Sequence, residues 1–403
     1  MPGEQKRIYL DYNATTPLKP EVKAAMIEDL EVYGNASSMH ADGRLARARV
    51  EEARRAVGGL LGVSPDTIVF TSGGSESNNT VFQTMRNLAL GEDGRIRSDV
   101  RNEIITTAIE HPCVFSSAEF LKSLGFKVVF LPVDRYGKLE TGALKAALNE
   151  KTLLVSVMMA NNEIGTIQDI KAIGKLVKAA GAWYHTDAVQ ALGKIPVDAV
   201  DLGADYLTMS AHKIYGPKGI GALYLRKGAP LLPLIHGGHQ EGGFRAGTYN
   251  NAGILGFGKA ALLARDSLED YGREMRGLRN RLRDGLARNV PDIQINGHPS
   301  DVLPNTLNVS FPGAEGESIL LALDLAGIEV STGSACASGS LEPSHVLLAI
   351  GADPFLAHGS IRFSLGWQVS AADIDYVTET LPPIIARLRA MSTSVPKGPA
   401  GAG

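Results

Sequence analysis

Cysteine is scarce in this chain: Cys113 and Cys336 are the only two in 403 residues. So few cannot form a disulfide framework, and they fit a reducing compartment, read here as the cytoplasm. Long apolar runs are missing too. A stretch such as "LLVSVMMA", Leu153 to Ala160, is far too short to span a bilayer. The opening "MPGEQKRIYLDYNATTP" holds no apolar core of signal-peptide length. Excess charge of either sign is absent: 40 basic and 43 acidic side chains leave a net charge of -3. Nucleic acid and anionic membrane both select a basic face, so neither is expected as the main partner. No His, Cys, Asp or Glu spacing resembles a zinc site, and neither a P-loop nor a dinucleotide fingerprint occurs.

What is present is an alternation. Short β-branched runs begin at Thr67, Glu103, Lys127, Leu153, Ala182, Asp205 and Ile220, with helical patterns between most of them. That pattern predicts an α/β fold with a mainly parallel seven-stranded sheet covered on both faces. A long helical pattern from about Asn251 to Asn289 follows. Then comes a smaller α+β unit with strands "TLNVSF", "IEVST" and "IRFSL", closed by a helix from about Ala371 to Met391. The expected division is a large domain over 17–256 and a small domain made of 1–16 and 257–391. Residues 392–403, rich in Gly, Pro and Ala, cannot bury a core and are expected to be disordered.

In such sheets ligands gather beyond the carboxyl ends of the strands. Polar segments follow five of the seven candidates: "TSGGSESNN", "EHP", "NNEIG", "TDAVQ" and "SAHK". The first is a glycine turn opening a helix, which suits an anion such as phosphate as well as it suits a plain cap. Asp187 ends an apolar strand, where a carboxylate needs a partner, either a protonated ring nitrogen or a structural cation. His111 follows a strand and precedes a helix, and by itself reads as a capping or packing residue. Lys213 stands in "SAHKIYGPKGIG", a turn fixed by Gly216, Pro217 and Gly219. A free lysine is under about 0.1% neutral at pH 7, so a nucleophilic lysine needs burial or a nearby cation. A phosphate cup, a strand-end aspartate and a buried lysine together match what pyridoxal 5'-phosphate requires. Cys336, in "STGSACASGS", has only small neighbours in a loop that costs little to move. Structural cysteines usually sit among apolar groups, so a chemical role is favoured for it. Cys113, at the start of a helical pattern, reads as a packing residue.

The motifs "YLDYNATTP", "FTSGGSESNN", "EHPCV", "NNEIGTIQDI", "HTDAVQALGKIPVD", "SAHKIYGPKGIGALY", "FRAGTYN", "STGSACASGSLEPSHVL" and "SIRFSLG" together resemble the cysteine desulfurases of the NifS/IscS type, from about Ile8 to Met391. The resemblance implies the fold-type I architecture of pyridoxal-phosphate enzymes, a homodimer, and conversion of L-cysteine to L-alanine with transfer of sulfur to an enzyme cysteine for iron–sulfur cluster assembly. It implies that Lys213 attaches the cofactor, that Asp187 pairs with its ring nitrogen and that Gln190 meets its ring hydroxyl. His111 would stack on the ring and move protons. Gly74, Ser75, Ser210 and His212 would hold the phosphate, joined by Thr248 of the other subunit. Asn13, Asn162 and Arg362 would receive the substrate, with Asn162 also touching the cofactor, and Cys336 would take the sulfur. No resident metal is implied, beyond transient contact of Cys336 with iron. Many relatives carry Ala-Thr where this chain has Gly74-Ser75, which preserves the hydroxyl. The segment "LPPIIARLRAMS" is closer to the nitrogen-fixation branch, and an iron–sulfur scaffold or another sulfur acceptor stays open. Rival readings are a selenocysteine lyase or a class-V aminotransferase on the same fold, and a non-catalytic binding subunit, which would have no reason to keep Lys213, Asp187 and Cys336 together.

Overall fold

The computed structural model describes residues 7–332 and 343–391. All seven expected strands form one sheet. In spatial order they are Ile68–Thr71, Gly221–Leu225, Tyr206–Ser210, Trp183–Asp187, Thr152–Ser156, Glu103–Thr107 and Lys127–Leu131. Gly221–Leu225 runs antiparallel to both its neighbours, and every other adjacent pair is parallel. The carboxyl ends of the other six strands therefore share one edge. Most of these strands are buried on both faces, which explains their continuous apolar reading rather than an alternation.

Two apolar clusters cover this sheet, one on each face. Helix Ala41–Leu60 contributes Ala46, Val50, Ala53 and Val57 to the first, at helical spacing. Helix Gly74–Ala89 contributes Val81, Phe82 and Met85 to the second. A separate core lies beneath a four-stranded antiparallel sheet in the order Ser331–Thr332, Ser360–Ser364, Thr306–Ser310 and Gln294–Asn296.

Some expected elements take a different form. The long helical pattern after Asn251 is two helices, Asn251–Asp266 and Leu268–Asn289, parted at Ser267. The first keeps Phe257, Ala260, Ala261 and Ala264 in the large core, and the second gives Met275, Leu282 and Leu286 to the smaller one. The boundary expected after residue 256 thus falls inside a helix. The run "IEVST" is divided between two sheets. Ile328–Glu329 pairs in parallel with Ile8–Tyr9, while Ser331–Thr332 joins the strand that carries Arg362. The short strands Ile8–Tyr9 and Gln294–Asn296 carry too few residues to show a period. No helix among the described residues is long and apolar enough to cross a membrane.

Candidate active site

The polar segments predicted at the strand ends meet in one cleft of about 300 Å³. Asn13, Gly74, Ser75, His111, Asn162, Asp187, Gln190, Ser210, His212, Lys213 and Arg362 all line it. Two expected site residues are not among them. Thr248 is exposed and borders a separate depression with Thr71, Ser72 and Arg245. Cys336 lies outside the described residues.

The helix Gly74–Ala89 opens on Gly73 with no side-chain cap, so its first N–H groups are not taken up by a capping side chain. Close approach demands the glycines. A Cβ at Gly221 would stand 2.7 Å from the Gly73 backbone, and one at Gly74 would stand 2.9 Å from Val189 Cγ2. Ser75, Ser210 and His212 surround this uncapped end. An anion there would meet backbone donors, hydroxyls and the helix dipole together.

Asp187 is the last residue of its strand and is buried. Asn78 Nδ2 donates to its Oδ2 at 2.7 Å and the Val189 N–H to its Oδ1 at 3.0 Å. His111 caps helix Pro112–Ser123, with its Nδ1 accepting from the Cys113 N–H at 3.2 Å. That bond assigns the ring proton to Nε2 in the neutral form. Burial pushes the pKa of His111 down; Asp187 opposes this, and Lys213 and His345 add to it.

Lys213 ends the single helical turn Ala211–Lys213 directly after strand Tyr206–Ser210. Gly216 lets the chain fold back onto that turn, because a Cβ there would lie 2.8 Å from the Ala211 carbonyl oxygen. The next constraints are Tyr215 at φ +67° and Gly219 at φ +77°. Tyr215 holds this left-handed conformation packed between the rings of Tyr12 and Tyr271. The Lys213 ammonium donates to the carbonyl oxygens of Asn13 at 2.5 Å and Ala14 at 2.7 Å. Burial pushes His212 down to about 4, with the positive charges of Lys213, Lys218 and Lys194 acting in the same direction.

Arg362 is buried opposite this turn. Its Nη2 donates to Asp11 Oδ1 at 2.7 Å and its Nη1 to the Asn162 carbonyl at 3.2 Å. Its buried Nε has no acceptor among the described residues. A carboxylate ligand would suit an arginine left with a spare donor.

Sequence reasoning missed several residues here. Asn78 bridges Asp187 and the Cys113 sulfur, which lies 3.1 Å from its Nδ2. The packing role expected for Cys113 is only part of its setting, for its thiol lines the cleft and stands 2.9 Å from His111 Nδ1. Burial pushes that thiol up to about 12, which makes it a poor nucleophile. Asp11 and Lys194 were also passed over. For Lys194 the available signal was its place four residues after Gln190 in a strand-end motif; the partner of Asp11 is 351 positions away.

The description "Aminotransferase class-V" belongs to the family model that matches residues 8–377. "Cysteine desulfurase IscS" of Dictyoglomus turgidum is 49% identical over 389 residues, covering 96% of this chain and 97% of that protein. The chain belongs to the cysteine desulfurases of the class-V aminotransferase family. A protein of the same description from Methanosarcina thermophila is 45% identical, covering 98% of this chain and 96% of its own. Among solved structures, a "NifS-like protein" superimposes with a TM-score of 0.88 at 40% identity, over 94% of this chain and all of that one. The mainly parallel seven-stranded sheet is the fold these relatives share, and the family generally uses pyridoxal phosphate.

Proposed function

We propose that the protein is a cysteine desulfurase that uses pyridoxal 5'-phosphate to convert L-cysteine to L-alanine and moves the sulfur to Cys336. The observation that carries this reading is the convergence of an uncapped helix end, Asp187 and Lys213 in one cleft. These groups fit the cofactor. Ser75, Ser210, His212 and the helix end would hold its phosphate. Asp187 would face the ring nitrogen, His111 the ring and Gln190 the ring hydroxyl, with Lys213 as the point of attachment. Bound there, the cofactor supplies an electron sink for the substrate Cα.

The chain's own residues supply the rest. Arg362 and Asn162 would bind the substrate carboxylate and so fix the Cα hydrogen towards Lys213. The Lys213 amine, once displaced from the cofactor, would take that proton and return one. Neutral His111, its Nε2 proton assigned by the Cys113 N–H bond, is suited to pass a proton to or from the substrate. Cys336 would attack the substrate sulfur as a thiolate. The carbon–sulfur bond breaks, leaving a persulfide on Cys336 and L-alanine, so that cysteine plus enzyme thiol balances alanine plus enzyme persulfide. Described segments on both sides of Cys336 in the sequence reach this cleft's surroundings. Ser331 pairs in register with Arg362, Ser344 Oγ donates to Glu163, and His345 Nε2 lies 3.0 Å from the Glu110 carbonyl. The persulfide would serve iron–sulfur cluster assembly through an acceptor protein, in a homodimer whose partner supplies Thr248.

The test is alanine formation from L-cysteine by the purified, cofactor-loaded protein without any keto acid. Turnover is expected, and Lys213→Ala should lose both turnover and the visible absorption of the lysine-bound cofactor. A strict requirement for a keto acid would instead indicate an aminotransferase.

A further inference from the structure

Lys194 is buried beneath the cleft, and no carboxylate lies within ion-pair distance of it among the described residues. A buried ammonium without a counter-ion is costly and is rarely kept for packing alone. Its Nζ donates to Gln190 Oε1 at 2.7 Å and to Asn13 Oδ1 at 3.2 Å. Both acceptors belong to residues that line the cleft.

The two contacts decide which end of each amide faces where. With its oxygen held by Lys194, Gln190 must turn its Nε2 the other way, and that nitrogen donates to the Asn13 carbonyl at 2.9 Å. The same carbonyl accepts from Lys213. Asn13 is fixed likewise. Its Oδ1 takes Lys194 and Asn305, while its Nδ2 donates to the Asn162 carbonyl and to Thr306 Oγ1. Lys194 is thus one carbonyl and one amide away from Lys213. Free rotation of an amide would leave either N–H or C=O facing a ligand; an ammonium at the oxygen removes that choice.

We propose that Lys194 is a positioning residue of this active site: by locking the amide oxygens of Gln190 and Asn13, it presents the Gln190 N–H as the donor for a ligand bound to Lys213. This rests on the reading of the cleft as a pyridoxal-phosphate site. The charged groups facing Lys194 are Lys213 and Arg362, and both act with burial to push its pKa well down. His212 also feels its charge. A donor aimed at the cofactor's ring hydroxyl oxygen would disfavour protonation of the nitrogen that links Lys213 to the cofactor. Removing Lys194 should therefore raise the pH at which that nitrogen titrates.

The readout is a pH titration of the visible absorption of the resting, cofactor-loaded enzyme without substrate. In Lys194→Met the midpoint should move up by about one pH unit, while Lys194→Arg should stay near wild type. In a Gln190→Ala background, Lys194→Met should move the midpoint much less, because the two act as a unit. Lys194→Leu carries the same reading if Lys194→Met yields no folded protein. An unchanged or lowered midpoint in the apolar variants, or full additivity with Gln190→Ala, would overturn the proposal. So would loss of folding in every variant, which would make Lys194 structural. Because no substrate is present, a wild type that binds the cofactor but leaves cysteine intact would refute the proposed function and leave this test standing.

Discussion

At the scale of single residues, the site was legible where chemistry and spacing coincided. Lys213, Asp187 and His111 stand at strand ends, and strand ends can be read from β-branched runs. Asn78 and Asp11 were not legible, because their significance lies in contacts with Asp187 and Arg362, 109 and 351 positions away. For Lys194 the bond to Gln190 is local, but the bond to Asn13 spans 181 positions and its burial has no local sign. His185 shows how a histidine in a motif can serve the core. It is fully buried, with Nδ1 2.8 Å from Ser156 Oγ and Nε2 3.1 Å from Thr208 Oγ1. Burial pushes its pKa down to about 4, against about 6.5 in an unfolded chain. The unfolded chain therefore binds more protons between those values. The stabilisation is complete above pH 6.5 and is lost as the pH falls towards 4, by up to about 3 kcal/mol. Urea unfolding at pH 7 and pH 4.5 should show a smaller loss on acidification in His185→Asn than in wild type. Equal losses would show that His185 does not titrate in this way.

At the scale of elements, helix and strand identities followed from period, whereas their boundaries depended on packing. The break at Ser267 has no proline or glycine to announce it; the chain passes from one core to the other there. The turn Gln240–Gly243 is held by a contact that no local pattern could reveal. Glu241, at φ +50°, receives both terminal nitrogens of Arg54 at 2.7 and 2.6 Å and the Phe70 N–H at 2.7 Å. One carboxylate thereby ties helix Ala41–Leu60, strand Ile68–Thr71 and the segment leading to Thr248. Removing the charge of Glu241 leaves the buried Arg54 with only the half-buried Glu51, 3.2 Å from its Nε, as an ionic partner, a loss that approaches the roughly 3–5 kcal/mol of a broken buried pair. Glu241→Gln should lower unfolding stability by that order in urea. A loss below about 1 kcal/mol would mean that the pair does not anchor the turn.

At the scale of the whole molecule, the common strand edge was foreseen, whereas a partner subunit is an expectation that rests on Thr248. Thr248 lies outside the cleft of its own chain, as the expected role in a second subunit requires. Within one short stretch, Ile27, Leu30, Tyr33 and Met39 are 57%, 69%, 84% and 89% exposed, apolar surface of the kind a partner covers. We expect a homodimer by light scattering, with Thr248→Ala binding the cofactor more weakly; a fully active monomer would refute this.

If the protein is a desulfurase, sulfur passes from cysteine to Cys336. Mass spectrometry of the intact, cofactor-loaded protein after brief exposure to L-cysteine tests it most directly, with peptide mapping to locate the added sulfur and alanine measured alongside. One extra sulfur on Cys336 is expected for each alanine formed, with none on Cys113, whose buried thiol is weakly acidic, and no persulfide in Cys336→Ser. A persulfide on Cys113, or one that still forms in Cys336→Ser, would contradict it.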